Sequence, residues 1–357
     1  MRNARGLALL VLLATLPAAA EPDSPARPAL ARDLAVAAEL AVTDDLALSD
    51  EQVSQEAQVA STESVRAAEP AERERAAGHA VGTELFYSSD SDGTEVARAA
   101  LDGDLRFVSQ NEYLGIRVER AWYNPSDRGW ESRDRVFLRA ADRLGDWQAR
   151  ARIGTDGDTV IGAVSINDEA PIRKEFFVER DIIETAQGLD LGLYSTFLGA
   201  AVDLPADERN VITALAGVQT FTGDNVRLHL RGSYIHVLRP EWGLSAQLRG
   251  RYFHSSDPGE FDYYSPRWYA ELLPVLQLRR FLGGWEVVGA GGIGMQRDSE
   301  SDWRSSRYLH ARFRSPLNSS AWAAFGAFTY TNTPSVTATS DSGYSYVQFN
   351  LGVSRRF

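Results

Sequence analysis

The sequence predicts an all-β fold: a transmembrane, antiparallel, up-and-down β-barrel of about 16 strands, behind a disordered or weakly helical N-terminal arm. Three observations carry this. All aromatic residues of the 357-residue chain, 15 Phe, 13 Tyr and 8 Trp, lie in the part that starts at Val81. In that part apolar and polar residues alternate in segments of about ten, as in a wall with lipid on one side and water on the other. The chain also ends on such a segment. Val347, Phe349, Leu351, Val353 and Phe357 share one face, and Tyr344, Tyr346, Gln348, Asn350, Gly352, Ser354 and Arg356 the other. Arg355 breaks the apolar face at its rim, where a long side chain snorkels to headgroups.

In chain order, Arg2 and Arg5 precede the apolar stretch Gly6 to Leu16, and Pro17-Ala18-Ala19-Ala20 follows. That order predicts a signal peptide over 1–20, cleaved before Glu21. Residues 21–80 are rich in Ala, Glu, Asp, Ser and Gln and hold no aromatic residue. Such a segment buries too little to offset its ordering entropy, and the expectation is an acidic periplasmic arm, mostly disordered. Arg32 to Leu48, downstream of Pro28, has the pattern of one transient helix, with a docking helix for a periplasmic partner as the alternative.

The barrel is expected over 81–357. Turn signals recur at Asp92-Gly93, Asp102-Gly103, Asp156-Gly157-Asp158, Gly223-Asp224-Asn225, Gly283-Gly284 and Ser342-Gly343. Between them Leu114, Ile116 and Val118 alternate with Gly115, Arg117 and Glu119; Val226, Leu228 and Leu230 with Arg227, His229 and Arg231; Leu244, Ala246 and Leu248 with Ser245, Gln247 and Arg249; Leu309, Ala311 and Phe313 with His310, Arg312 and Arg314. Strand centres fall near residues 85, 97, 117, 138, 150, 162, 176, 193, 215, 230, 248, 274, 290, 310, 326 and 350. Weak patterning at 85, 97 and 176 leaves the count between fourteen and eighteen. About sixteen strands imply an aqueous lumen, where about eight would be filled by side chains.

Composition narrows the chemistry. A net charge of −12 argues against nucleic acid, which needs a basic surface to displace counterions. With no Cys, thiol catalysis and Cys-ligated metal are out. His79, His229, His236, His254 and His310 form no His-x-x-x-His pair, and no Gly-x-Ser-x-Gly elbow meets a strand-to-helix switch. No enzyme, metal or cofactor is expected. The glycines of Gly289 to Gly294 lie within a β segment, where they serve close strand packing or lumen clearance rather than a dinucleotide.

The polar faces repeat Arg. Arg117, Arg139, Arg150, Arg152, Arg227, Arg231, Arg249, Arg251, Arg279, Arg312 and Arg314 are the expected lumen cations, with Tyr123, Tyr194, Tyr269 and Tyr346 among them. Guanidinium groups of that number need partners, and Glu119, Asp190, Glu271 and the acidic loop Asp298 to Asp302 are the candidates. Two readings stand side by side: an Arg ladder that braces the wall, and a basic lumen that draws a neutral or anionic glycan through bidentate Arg contacts and aromatic stacking.

The stretch Phe261-Asp262-Tyr263-Tyr264-Ser265-Pro266-Arg267-Trp268-Tyr269, leading into Leu272-Leu273-Pro274-Val275, and then Trp285-Glu286-Val287-Val288-Gly289 with its Gly run and Gln296, resembles the C-terminal barrels of the outer-membrane exopolysaccharide exporters, those for cellulose and poly-N-acetylglucosamine, and the small YaiO-type barrels. The similarity spans about residues 172–357. The exporters carry helical tetratricopeptide repeats of about 34 residues before the barrel, and no such repeat precedes this one. A terminal Phe357 with Gly352 before it resembles the signal read by the barrel assembly machinery. The resemblance implies an outer-membrane pore, a passive conduit for a secreted exopolysaccharide, with lipid, the assembly machinery, a polysaccharide chain and a periplasmic or synthase component as partners. A general or anion-preferring diffusion porin, and a non-transporting structural or adhesin barrel, are the alternatives.

Overall fold

A computed structural model describes residues 77–316, 321–336, 338 and 343–357. The expected signal peptide and nearly all of the acidic arm lie outside the described residues. The rest forms β1 (Gly78–Asp90), β2 (Glu95–Ser109), β3 (Glu112–Asn124), β4 (Glu131–Leu144), β5 (Trp147–Thr155), β6 (Val160–Asp168), β7 (Arg173–Ile182), the short helix α1 (Ala186–Leu191), β8 (Tyr194–Pro205), β9 (Asn210–Phe221), β10 (Val226–Arg239), β11 (Leu244–Ser255), β12 (Trp268–Leu282), β13 (Trp285–Asp298), β14 (Arg304–Arg314), β15 (Trp322–Thr331) and β16 (Tyr346–Arg356). Each strand pairs antiparallel with its sequence neighbours, and β1 closes on β16 from Ala80↔Arg356 to Asp90↔Tyr346. Closure leaves no edge strand with unpaired backbone groups.

The alternation reads out as expected. Leu101, Leu138 and Ile293 are 63%, 66% and 74% exposed, and similar apolar side chains ring the wall from Leu85 through Leu198, Leu230 and Leu276 to Leu351. A continuous apolar belt of this kind faces hydrocarbon rather than water. Exposed Trp130 and Trp303 flank it at one end, and Trp242, Trp285 and Trp322 at the other, the amphipathic girdle positions of a barrel wall. Along β16, Phe349, Leu351 and Val353 face out, while Gln348 and Asn350 are buried inside.

Fifteen expected strand centres lie inside strands, and 193 falls one residue short of β8 because α1 fills the connection. The Thr185 hydroxyl caps α1 by accepting the Gly188 N–H, and Gly192 ends it in the left-handed region at φ 65°. The first strand starts at Gly78, a little ahead of the expected boundary at 81. One turn signal is corrected: Asp102-Gly103 lies mid-strand in β2, where Asp102 is held inward by ion pairs. The Gly run keeps its expected place in β13; a Cβ on Gly292 or Gly294 would lie 2.4 Å and 2.1 Å from backbone oxygens of β12, so only Gly permits the observed spacing.

Candidate functional site

The inner wall separates into two banks. On the first, β1 to β4 and β7 present carboxylates and guanidinium groups that neutralise one another. Arg117 donates to Glu84 at 3.0 Å and to Glu119 at 3.2 Å. Arg135 bridges Glu119 at 3.0 Å and Asp181 at 2.6 Å. Arg139 pairs with Asp102 at 2.5 Å and reaches Asp104 at 3.5 Å. Arg98 pairs with Glu184. Each of these four guanidinium groups has a carboxylate in contact, the condition for burying it. Arg152 sits with its guanidinium 4.8 Å from the centre of the Phe137 ring, and Arg150 donates to Asn111.

The second bank, from β9 to β14, is poor in carboxylates. Arg227, Arg231, Arg249, Arg251, Arg312 and Arg314 come from β10, β11 and β14. Glu286 collects Arg279 at 2.6 Å and Arg312 and Arg314 at 3.6 Å each. Arg227 donates to Ser255 at 3.2 Å and to the Tyr264 carbonyl. Arg249 donates to Gln247 at 3.0 Å and reaches over the Tyr308 ring at 4.9 Å. Around them stand neutral amides: Gln247 donates to Gln277 at 3.1 Å, and His229 Nε2 lies 3.1 Å from Gln219 Oε1.

The expected Arg lie on the inner, less exposed faces of their strands. Their partners were only partly foreseen. Glu119 pairs as expected, and Asp298 binds Arg304 at 3.0 Å. Glu271 accepts from the hydroxyls of Ser306 and Thr333. Asp190 is a correction: it lies outside the lumen and pairs with Arg128 at 2.9 Å, both more than half exposed. Glu84, Asp102, Glu286 and Arg135 were missed. Their signal was the same alternation, read on β1, β2, β4 and β13.

The inner face is also drier than strand number implies. Arg135, Arg227, Arg249, Tyr123, Tyr269, Phe137 and Phe253 are all less than 2% exposed. Long side chains folded against the wall and against one another account for this. The aromatic candidates are engaged in that packing. Tyr123 and Tyr194 belong to an apolar cluster with Phe86, Val96 and Phe137, and the Tyr194 hydroxyl donates to Asp156 at 2.7 Å. Tyr269 stacks on Phe253 at 5.2 Å and donates to Gln296, while Tyr346 packs beside them.

The shortest connections, as at 145–146 and 283–284, lie at one end of the barrel, and the three longest, 183–193, 256–267 and 332–345, at the other. Three long ones interlock. The Asp262 carboxylate accepts from the Thr185 hydroxyl and the Gln187 N–H, tying the β11–β12 loop to α1. Tyr264 N–H donates to the Val336 carbonyl at 3.0 Å. Tyr263 stacks on Phe221 at 4.5 Å, and the Tyr264 hydroxyl donates to Asp298 at 2.7 Å. Burial pushes the Tyr263 phenol up to about 12. Burial, then the Asp298 bond, pushes Tyr264 higher still. The Tyr-Tyr-Ser-Pro step thus clasps these connections into one loop assembly, the cap, at this end.

No protein-family profile and no curated protein match the sequence. Among solved structures the chain is similar to a bacterial polysaccharide outer membrane secretin, with 13% identity and a TM-score of 0.57 over 78% of this chain and 98% of that one. OccK5 (OpdH) of Pseudomonas aeruginosa aligns at 9% identity and a TM-score of 0.41 over 79% of this chain and 98% of that one. OmpT of Vibrio cholerae aligns at 10% identity and a TM-score of 0.39 over 79% and 99%. What the chain shares with the secretin is the fold, an outer-membrane porin-like β-barrel, which in this chain closes with sixteen strands.

Proposed function

We propose that the chain is an outer-membrane pore serving as a passive conduit for a secreted polysaccharide, with its long-loop end outside the cell and its short turns in the periplasm. The observation that carries this is the barrel itself: sixteen closed strands, lipid-facing outside and charged inside, aligned over nearly the whole length of a polysaccharide secretin's chain. The Tyr263-Tyr264-Ser265-Pro266 step adds support, because the residues that carry the sequence resemblance also clasp the cap. The carboxylate-poor second bank favours one other reading, an anion-preferring diffusion porin. Deleting the gene in an exopolysaccharide-producing host distinguishes the two. Export is supported if polymer disappears from the cell surface and accumulates in the periplasm; unchanged surface polymer with reduced uptake of small anions supports the porin and sinks export.

A further inference from the structure

On the outward face of the barrel, guanidinium groups and carboxylates are unevenly spread. Arg120 of β3 faces out near the long-loop end and has Asp134 at 3.6 Å and the Ser132 hydroxyl at 3.1 Å beside it. From β9 to β14 the outward positions run from Ile212, Leu228 and Tyr252 through Leu272 and Met295 to Phe313. No Asp or Glu stands among them. Toward the long-loop end, two of these positions nevertheless hold Arg: Arg297 at the close of β13 and Arg307 early in β14.

Arg307 is in register with Ile293, which is 74% exposed, and Leu309, two residues on, is 51% exposed. Its side chain therefore leaves the wall on the lipid side. A guanidinium group there is costly unless it climbs to headgroup level and meets an opposite charge. Arg297 is in register with Ala270 and holds its guanidinium group over the Trp268 ring, 5.8 Å from its centre. Its Nε is buried with no hydrogen-bond partner. Trp268 is in register with exposed His254 of β11, and exposed Arg267 stands just ahead of it. Among the described residues, no carboxylate pairs with Arg267, Arg297 or Arg307. The acidic loop residues close in sequence do not serve. Asp298 turns inward to Arg304 at 3.0 Å, and Asp262 is engaged by Thr185 and Gln187. Glu300 and Asp302 are exposed and pair with neither Arg.

We infer that the outward face of β11 to β14, at the long-loop end, binds the phosphate groups of an outer-leaflet glycolipid through Arg297 and Arg307, with Arg267 and His254 at the upper rim. Each guanidinium group offers paired N–H donors to phosphate oxygens. Trp268 holds Arg297 against the wall and sits at the depth where amphipathic rings meet headgroups. Basic side chains at that depth are what acidic lipids recognise. Below them Leu272, Ile293 and Met295 are exposed and meet the acyl chains. With no carboxylate on this stretch of wall, the lipid supplies the counter-charge. The site rests on the proposed orientation, long loops outside the cell, and not on what the pore carries.

The test is native mass spectrometry of the full chain in detergent, titrated with bisphosphorylated lipid A or with the same lipid stripped of its phosphates. Retained heat-modifiable mobility on gels shows that each variant is folded. The wild type is expected to bind the phosphorylated lipid at least about tenfold more tightly than the stripped one. Arg297→Gln with Arg307→Gln is expected to weaken the phosphorylated lipid about tenfold and leave the stripped one unchanged. Arg355→Gln, outward at the opposite end, is expected to change neither. Equal affinity for the two lipids, full affinity in the folded double variant, or an equal loss in Arg355→Gln overturns the site. Displacement of the lipid by an equal concentration of inorganic phosphate overturns it as a lipid site. The chain has no Cys, so a maleimide that does not cross the outer membrane reads the orientation separately, on Asp190→Cys. Labelling on intact cells supports long loops outside. Labelling only after the membrane is opened overturns both that orientation and the assigned leaflet.

Discussion

At the scale of residues, the first bank holds the wall by pairing rather than by apolar packing. Arg135 is the centre of it: its side chain is 1% exposed and it ties β3 to β7 through Glu119 and Asp181. Removing one member of a buried ion pair leaves charge without compensation and costs about 3–5 kcal/mol. Glu119 keeps Arg117 in this case, so Arg135→Ala is expected near the lower figure. The folded band on unboiled gels should then be lost at a clearly lower temperature than in the wild type. A variant as heat-resistant as the wild type would show that the ladder is not a structural brace. Arg249, on the second bank, leans on the Tyr308 ring and the Gln247 amide.

Elements show where packing and signal coincide. A Cβ on Gly352 of β16 would fall 2.2 Å from the Phe325 ring of β15, so this Gly has a packing role beside any role in assembly. Gly352→Val is expected to destabilise by about 1–3 kcal/mol through overpacking, and Phe325→Ala should restore much of the loss. Failure of that rescue would assign Gly352 to recognition by the assembly machinery. Phe357, whose N–H donates to the His79 carbonyl at 2.8 Å and whose ring is 65% exposed, offers the complementary case. As an ordinary lipid-facing ring it is worth about 1–3 kcal/mol. Its deletion is expected to cut the assembled barrel in membranes far more than Leu351→Ala does.

The cap has its own titration. The Tyr263 phenol is raised by burial to about 12, so the folded cap holds a proton that a free loop releases near the ordinary tyrosine value of about 10. The cap's stability is therefore complete below about pH 10 and falls as pH rises toward 12. Ultraviolet difference titration of the wild type against Tyr263→Phe should show the missing tyrosinate at the high end of that window. A missing transition at the ordinary tyrosine value would contradict the buried clasp. How much of this was legible in the sequence follows from range. Alternation is local, so strands, faces and the inward Arg could be read directly. The partners of Arg135 lie on other strands, Asp181 at a separation of 46 residues, and no local pattern announces them. Asp102-Gly103 misled because a turn signal and an inward carboxylate beside a Gly look alike until the register is known. Tyr123 and Tyr269 were placed on the correct face, but their burial depends on what other strands and loops bring against them.

For the whole molecule, a closed wall carries an apolar belt outside, a charged inner face and interlocked loops at one end. The central claim is that this barrel is a pore whose inner wall is governed by the basic second bank. Planar-bilayer recording of the purified, heat-modifiable full chain in a salt gradient tests it most directly. Discrete conductance steps are expected, with a reversal potential showing anion preference that shrinks when Arg249, Arg251 and Arg312 are replaced by Gln. Folded protein that gives no steps, or a wild-type channel that prefers cations, would contradict the account.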